Sequence, residues 1–230
     1  MEKDKIWEYF QTESSDIFIK SKARYKFLAD QIKQISQTTA KVLNVGVGNG
    51  LFENIVINYG MDVYSLDPSE RAIESLNENR GMNGKAKAGY LQDIPFENRY
   101  FDFVVVSEVL EHLADDALSS SLIEIDRVLV SGGYLLGTVP ARENLNDQLV
   151  VCPDCGHKFH RWGHVQSFDK NRLTDLLSQK FQIEKISEKI FVTWHTLNWK
   201  GKVVAALKLT LHQLGNRGAG NSFYFLAKKI

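Results

Sequence analysis

Short apolar runs alternate along most of the chain with longer stretches in which apolar residues recur every third or fourth position. The continuous runs read as strands buried on both faces, and the helical recurrence reads as helices packed over them. Ser21 to Ile35 carries Phe27, Leu28, Ile32 and Ile35 on or near one helical face. Leu51 to Tyr59 predicts a helix that Gly60 terminates, and Ala72, Ile73 and Leu76 mark another stopped at Gly81. Asp115 or Asp116 is placed to cap a helix with Leu118, Leu122, Ile125 and Leu129 along one side, ending at Gly132-Gly133. Phe181 to Ile186 alternates as a strand, and Ser222 to Ala227 is the last strand candidate. Such alternation of strand and helix predicts a doubly wound α/β fold, a largely parallel sheet covered on both faces.

The run Val42-Leu43-Asn44-Val45 breaks into Gly46-Val47-Gly48-Asn49-Gly50. A glycine turn at the carboxyl end of a strand leaves backbone N–H groups and a helix N-terminus facing an anionic or polar ligand. The spacing is G-x-G-x-G; a dinucleotide fingerprint would need glycine at position 51, where the chain has Leu51. A second apolar run, Val63 to Leu66, ends in Asp67-Pro68, and an ionised carboxylate accepts hydrogen bonds from two vicinal hydroxyls at once. Tyr90-Leu91-Gln92-Asp93-Ile94-Pro95-Phe96, Phe101 to Leu113 and Gly132 to Pro140 follow in order. Taken singly, each has a plain alternative: Asp67 as a helix cap, Asp93 as a loop residue, Glu108, Glu111 and His112 as a solvated helix face. Their order at successive strand ends, where ligands of open α/β sheets bind, points to a binding site.

Residues from about Lys41 to Pro140 therefore resemble the class I, Rossmann-like S-adenosylmethionine-dependent methyltransferases. The resemblance implies a seven-stranded, mostly parallel sheet whose final strand is antiparallel, and methyl transfer to a small-molecule acceptor, apolar or lipid-like in one version. It implies a cofactor site of Asn44, Gly46, Gly48, Gly50, Asp67, Pro68, Asp93, Ile94 and Glu108. Asp67 would hold the ribose hydroxyls, and Asp93 would meet the adenine amino group beside an apolar residue. The family usually has an acidic residue where this chain has Asn44, so the network around the cofactor's amino group is expected to be rearranged. Glu108, Glu111 and His112 follow the fourth strand, on the side where the methyl should project. His112 is the first candidate for a general base, because an unperturbed imidazole titrates near neutral pH, and Glu108 is the second. Arg142, after the fifth strand, reads either as a group holding an acidic acceptor or as a surface arginine.

Val150 to Phe168 breaks the alternation and gathers both cysteines and three of the six histidines. A C-x2-C turn presents two thiolates to one tetrahedral ion, and histidines at i and i+4 complete it. The expected set is Cys152, Cys155, His160 and His164 around a structural Zn2+, with His157 in reserve; a redox pair or two unrelated thiols is the alternative. The expected organisation is a single domain: a helical cap over 1–40, the cofactor core over 41–140, the zinc-binding insertion over 150–168, and sheet completion with a lid over 169–230.

Composition narrows the partners. The chain has 230 residues, 43% of them hydrophobic, and a formal net charge of zero, so no global field draws it to nucleic acid. Two cysteines, a charged start and no long apolar run lead to the expectation of a reducing cytoplasm. Ile6 to Phe10, the insertion, and Phe191 to Leu214 are the expected roof of the acceptor pocket. The last of these is aromatic, then basic and apolar; it is expected to be a helix packed on the sheet, with a lid or peripheral membrane contact as the other readings. A competing view of the whole chain is a non-catalytic cofactor-binding module that docks protein or RNA through the zinc knuckle. Oligomeric state is left open by the sequence.

Overall fold

A computed structural model describes residues 15–36, 39–80, 82, 84–215, 218 and 220–230. Ile6 to Phe10 and Gly81 lie outside these residues. Beyond a 3-10 turn over Ser15–Ser21, the chain runs α1 (Lys22–Ile35), β1 (Lys41–Val45), α2 (Leu51–Asn58), β2 (Asp62–Asp67), α3 (Glu70–Arg80), β3 (Ala86–Ala88) and β4 (Phe101–Ser107). It continues through α4 (Asp115–Val128), β5 (Leu129–Pro140), β6 (Leu149–Val151), β7 (Lys158–His160), α5 (Lys170–Leu177), β8 (Phe181–Lys189), α6 (Trp199–Gln213) and β9 (Ser222–Lys229).

Seven strands form one sheet in the order β3-β2-β1-β4-β5-β9-β8. β9 runs antiparallel to both β5 and β8, while the other pairings are parallel. β4 shows why the sequence folds this way. Phe103 and Val105 join the core under α1, α2 and α3, while Phe101, Val104 and Val106 join the core under α4 and α5. Both faces of the strand are thus buried, which is what a continuous apolar run in a parallel sheet requires.

Two expectations at helix ends are corrected. Ala114 occupies the N-cap of α4 without a side-chain hydrogen bond, and Asp115 and Asp116 fall inside its first turn, where their charge favours the positive helix end. The helix stops at Val128 and β5 begins at once, so Gly132 and Gly133 lie within the strand; Gly132 takes φ +75° beside an irregular register between β4 and β5. α6 also departs from expectation. Only Ala205 is buried along it, while Trp199, Val204 and Leu207 are exposed, so this helix is not packed on the sheet.

The 149–160 segment folds as a two-stranded hairpin in which Leu149 faces His160 and Val151 faces Lys158. Its tip is closed by Cys152 N–H donating to His157 O (2.8 Å) and Gly156 N–H donating to Cys152 O (2.9 Å). The expected set of Cys152, Cys155, His160 and His164 is therefore not assembled. The cysteines sit at the tip and His160 at the root, three strand positions apart or about 10 Å at ordinary strand rise. Among the described residues, no grouping of metal-ligating side chains contains either cysteine.

Candidate active site

The carboxyl ends of β1, β2 and β4 meet along one sheet edge and open into a cleft of about 920 Å³. One wall is the glycine turn. Gly46, Gly48 and Gly50 all take positive φ, with Gly46 N–H donating to Leu66 O at 2.9 Å and Gly50 N–H donating to Val47 O at 2.8 Å. A Cβ on Gly46 would lie 3.0 Å from Val109 Cγ2, and one on Gly48 would lie 2.8 Å from the Phe18 ring, so glycine leaves the room the cleft needs.

Asp67 ends β2 and is buried at the cleft wall. Its Oδ2 accepts from Val47 N–H and its Oδ1 from Ser69 N–H, both at 2.9 Å, so the carboxylate ties the glycine turn to the start of α3. Gly46, Gly48, Asp67, Pro68, Glu108 and His112 all line the cleft.

Four expected residues stand elsewhere. Gly50 caps α2 behind the turn. Asn44 is buried beneath it and donates to Glu53 Oε1 at 2.7 Å; Ser65 Oγ donates to the same oxygen at 2.8 Å. A carboxylate thus occupies the region where the family's acid was expected, but it reaches there from α2. Asp93 is exposed and Ile94 is a core residue, its N–H donating to Glu124 Oε2. From that loop Tyr90 and Gln92 line the cleft instead. Glu53 had a signal in the sequence, since it falls between Phe52 and Val56 on the buried face of α2. Tyr90 and Gln92 had none, because the loop has no period.

The wall beside the glycine turn follows β4, the strand paired with β1. Glu108 takes φ +58°, a left-handed conformation rare for a non-glycine residue, and its N–H donates to Thr138 O at 2.8 Å. Arg24 from α1 reaches across, its Nε donating to Ser107 Oγ at 3.0 Å and its Nη1 lying 3.9 Å from Glu108 Oε2. Burial works against the Arg24 charge, but Glu108 and neighbouring groups outweigh it and raise the guanidinium pKa, so the cation persists. Arg142 is committed to Glu188, donating from Nη2 at 2.6 Å, and reads as the surface arginine rather than an acceptor clamp.

Behind His112 lies a cluster that no local pattern announced. His164 Nδ1 and Glu143 Oε2 are 2.5 Å apart, the His112 and His164 rings meet edge to face at 4.8 Å, and His160 stacks on His164 at 4.6 Å. Glu111 is fully buried beside them, and both its carboxylate oxygens are without a hydrogen-bond partner. Burial, followed by the nearby Glu108 charge, pushes the Glu111 pKa well above the ordinary carboxylate value. Burial and His164 lower that of His160, while burial opposes but His164 prevails in lowering Glu143.

Residues 43–137 match the methyltransferase domain family. The protein YrhH of Bacillus subtilis, named as a methyltransferase, is 35% identical over 103 residues, 42% of this chain and 56% of that one. A ubiquinone biosynthesis O-methyltransferase of Rhizobium etli is 30% identical over 101 residues, 43% of this chain and 41% of the relative. The chain thus spans about half the length of these curated relatives. An N1-methyltransferase of Burkholderia thailandensis, solved with 1,6-didemethyltoxoflavin and S-adenosylhomocysteine bound, superposes with a TM-score of 0.66 at 15% identity, covering 98% of this chain and 86% of that one. The fold is that of the Rossmann-like methyltransferases. No described helix is long and apolar enough to cross a membrane.

Proposed function

We propose that this protein transfers a methyl group from S-adenosylmethionine to a small-molecule acceptor. The observation that carries this reading is the glycine turn with the buried Asp67 hydrogen-bonded to it, the two together lining one cleft that added Cβ atoms would narrow. When bound, the cofactor supplies a methyl already activated on a sulfonium, so the protein's work is to orient the partners and exclude water. Val47 and Ser69 N–H groups hold the Asp67 carboxylate at the cleft wall, and an ionised carboxylate is an acceptor-only group of the kind vicinal hydroxyls donate to. Tyr90 and Gln92 line the part of the cleft reached from the β3–β4 loop, suited to a base. The Asn44–Glu53–Ser65 network stiffens the floor under the turn.

The acceptor end lies along Glu108, Val109, His112 and Leu113. Glu108 and His112 are groups able to take or polarise a proton, and Val109 and Leu113 favour an acceptor with an apolar body. O-methylation is in the name of the Rhizobium etli relative, which makes a hydroxyl the acceptor atom to test first. The test is transfer of radiolabelled methyl from the cofactor to the small-molecule fraction of a cell extract, with Asp67→Ala as control. Label in small molecules from the native protein alone supports the proposal. Cofactor binding without transfer to any fraction favours the non-catalytic module.

A further inference from the structure

The Glu111–His112–Glu143–His160–His164 cluster carries more than a general base requires. Ligand atoms of Glu111, His112 and His164 lie within 4.8 Å of one another, and so do those of Glu143, His160 and His164. Hydrogen bonding chooses between the two sets. His160 Nδ1 accepts from His164 N–H (3.1 Å) and Trp162 N–H (3.4 Å), so the proton of its neutral ring sits on Nε2, facing Glu143 Oε1 at 3.4 Å. A ring whose Nδ1 lone pair is taken and whose Nε2 is protonated has no free lone pair for an ion. His164 is the opposite case. Its Nδ1–H donates to the Glu143 carboxylate at 2.5 Å, which leaves the Nε2 lone pair available. A carboxylate that fixes a histidine tautomer in this way is the usual outer partner of a ligating imidazole.

Glu111 supplies the independent sign. Burying a carboxylate with no hydrogen bond to either oxygen is costly, and a cation within reach is what would offset it. We propose that Glu111, His112 and His164 bind one divalent transition-metal ion in the cleft wall, with Glu143 as the positioning residue for His164. Two imidazoles and one carboxylate suit a borderline ion such as Zn2+, Co2+ or Fe2+, and three protein ligands leave positions open. Because His112 lines the cleft, an open position faces the space assigned to the acceptor, where a ligated hydroxyl would lose its proton more readily. The metal site stands without the cofactor reading; only its place beside the acceptor rests on it.

The test is titration of the chelator-treated, full-length protein with Co2+, read by visible absorption and by stoichiometry. The expected result is one ion per chain, with visible bands and no thiolate charge-transfer band. Uptake should fall more than tenfold in Glu111→Gln and in His112→Ala, and about 10–100-fold in Glu143→Gln. It should be unchanged in the Cys152→Ser/Cys155→Ser double variant. Absence of Co2+ uptake by the folded native protein overturns the proposal. So does uptake that survives both Glu111→Gln and His112→Ala, or that is lost with the cysteines. A parallel S-adenosylhomocysteine titration separates the two readings: nucleoside binding without Co2+ uptake overturns the metal alone, and Co2+ uptake without nucleoside binding overturns the cofactor reading alone.

Discussion

Asn44 donates to Glu53 within hydrogen-bond distance, both side chains buried, so the position reads as neutral by necessity. Asn44→Asp, which restores the acid usual in the resembling family, would set two carboxylates against each other in a buried site, and like charges so placed cannot both ionise. The variant should lose about 1–3 kcal/mol in urea unfolding, the usual cost of a lost buried polar pairing, and Glu53→Gln should recover part of it. A variant as stable as the native chain would contradict this account of the network. Gly48→Ala should weaken S-adenosylhomocysteine binding at least tenfold in calorimetry, since its Cβ meets the Phe18 ring at 2.8 Å in a left-handed conformation. The place of Gly46, Gly48, Asp67, Glu108 and His112 at the cleft follows from spacings that mark strand ends. The burial of Glu53 was marked by Phe52 and Val56 beside it on α2, but its pairing with Asn44 was not, and Glu143 was not legible at all because His164 lies 21 positions away. Asp93 was misplaced because a loop without periodicity does not say which of its side chains turns inward.

The elements β1, α2, β2, α3, β4, β8 and β9 follow the apolar patterns closely, since both sheet faces must be covered and each run has one buried solution. The hairpin over β6 and β7 did not. A C-x2-C spacing describes a turn, but the strand pairing that carries the cysteines away from His160 is a tertiary fact. Replacing Cys152 and Cys155 by serine should therefore leave the unfolding midpoint in place, with a change within about 0.5 kcal/mol. A closed four-ligand site would instead make that substitution severe, because structural zinc contributes folding energy directly. α6 gives the matching test on the other side of the chain. Val204 and Leu207 are 63% and 59% exposed, so Val204→Lys with Leu207→Lys should also stay within about 0.5 kcal/mol in thermal unfolding per substitution. A loss of several kcal/mol would mean that the helix is packed after all.

Across the whole molecule, acid sensitivity has identifiable sources. Hydrogen bonds from Arg127 hold the Glu124 pKa below its ordinary value; burial opposes the same shift at Glu188, but Arg142 and Asn221 prevail there. A carboxylate depressed in the folded state stabilises it above the unfolded pKa, and that contribution fades as pH falls through the folded value. Stability should therefore decline below about pH 4.5, by no more than about 1 kcal/mol for each of these partly exposed pairs. The Glu124→Gln/Glu188→Gln double variant should show a shallower decline in urea unfolding between about pH 5 and pH 3. The sheet order itself converges the glycine turn, Asp67 and the Glu108 loop on one edge, where a parallel α/β sheet binds its ligands. Calorimetric titration of the native chain and of Asp67→Ala with S-adenosylhomocysteine reads whether that edge holds the nucleoside. Saturable binding by the native protein is expected, weakened at least tenfold in the variant while the far-ultraviolet circular dichroism is unchanged. A folded native protein that gives no binding heat and no thermal stabilisation with this nucleoside would contradict it.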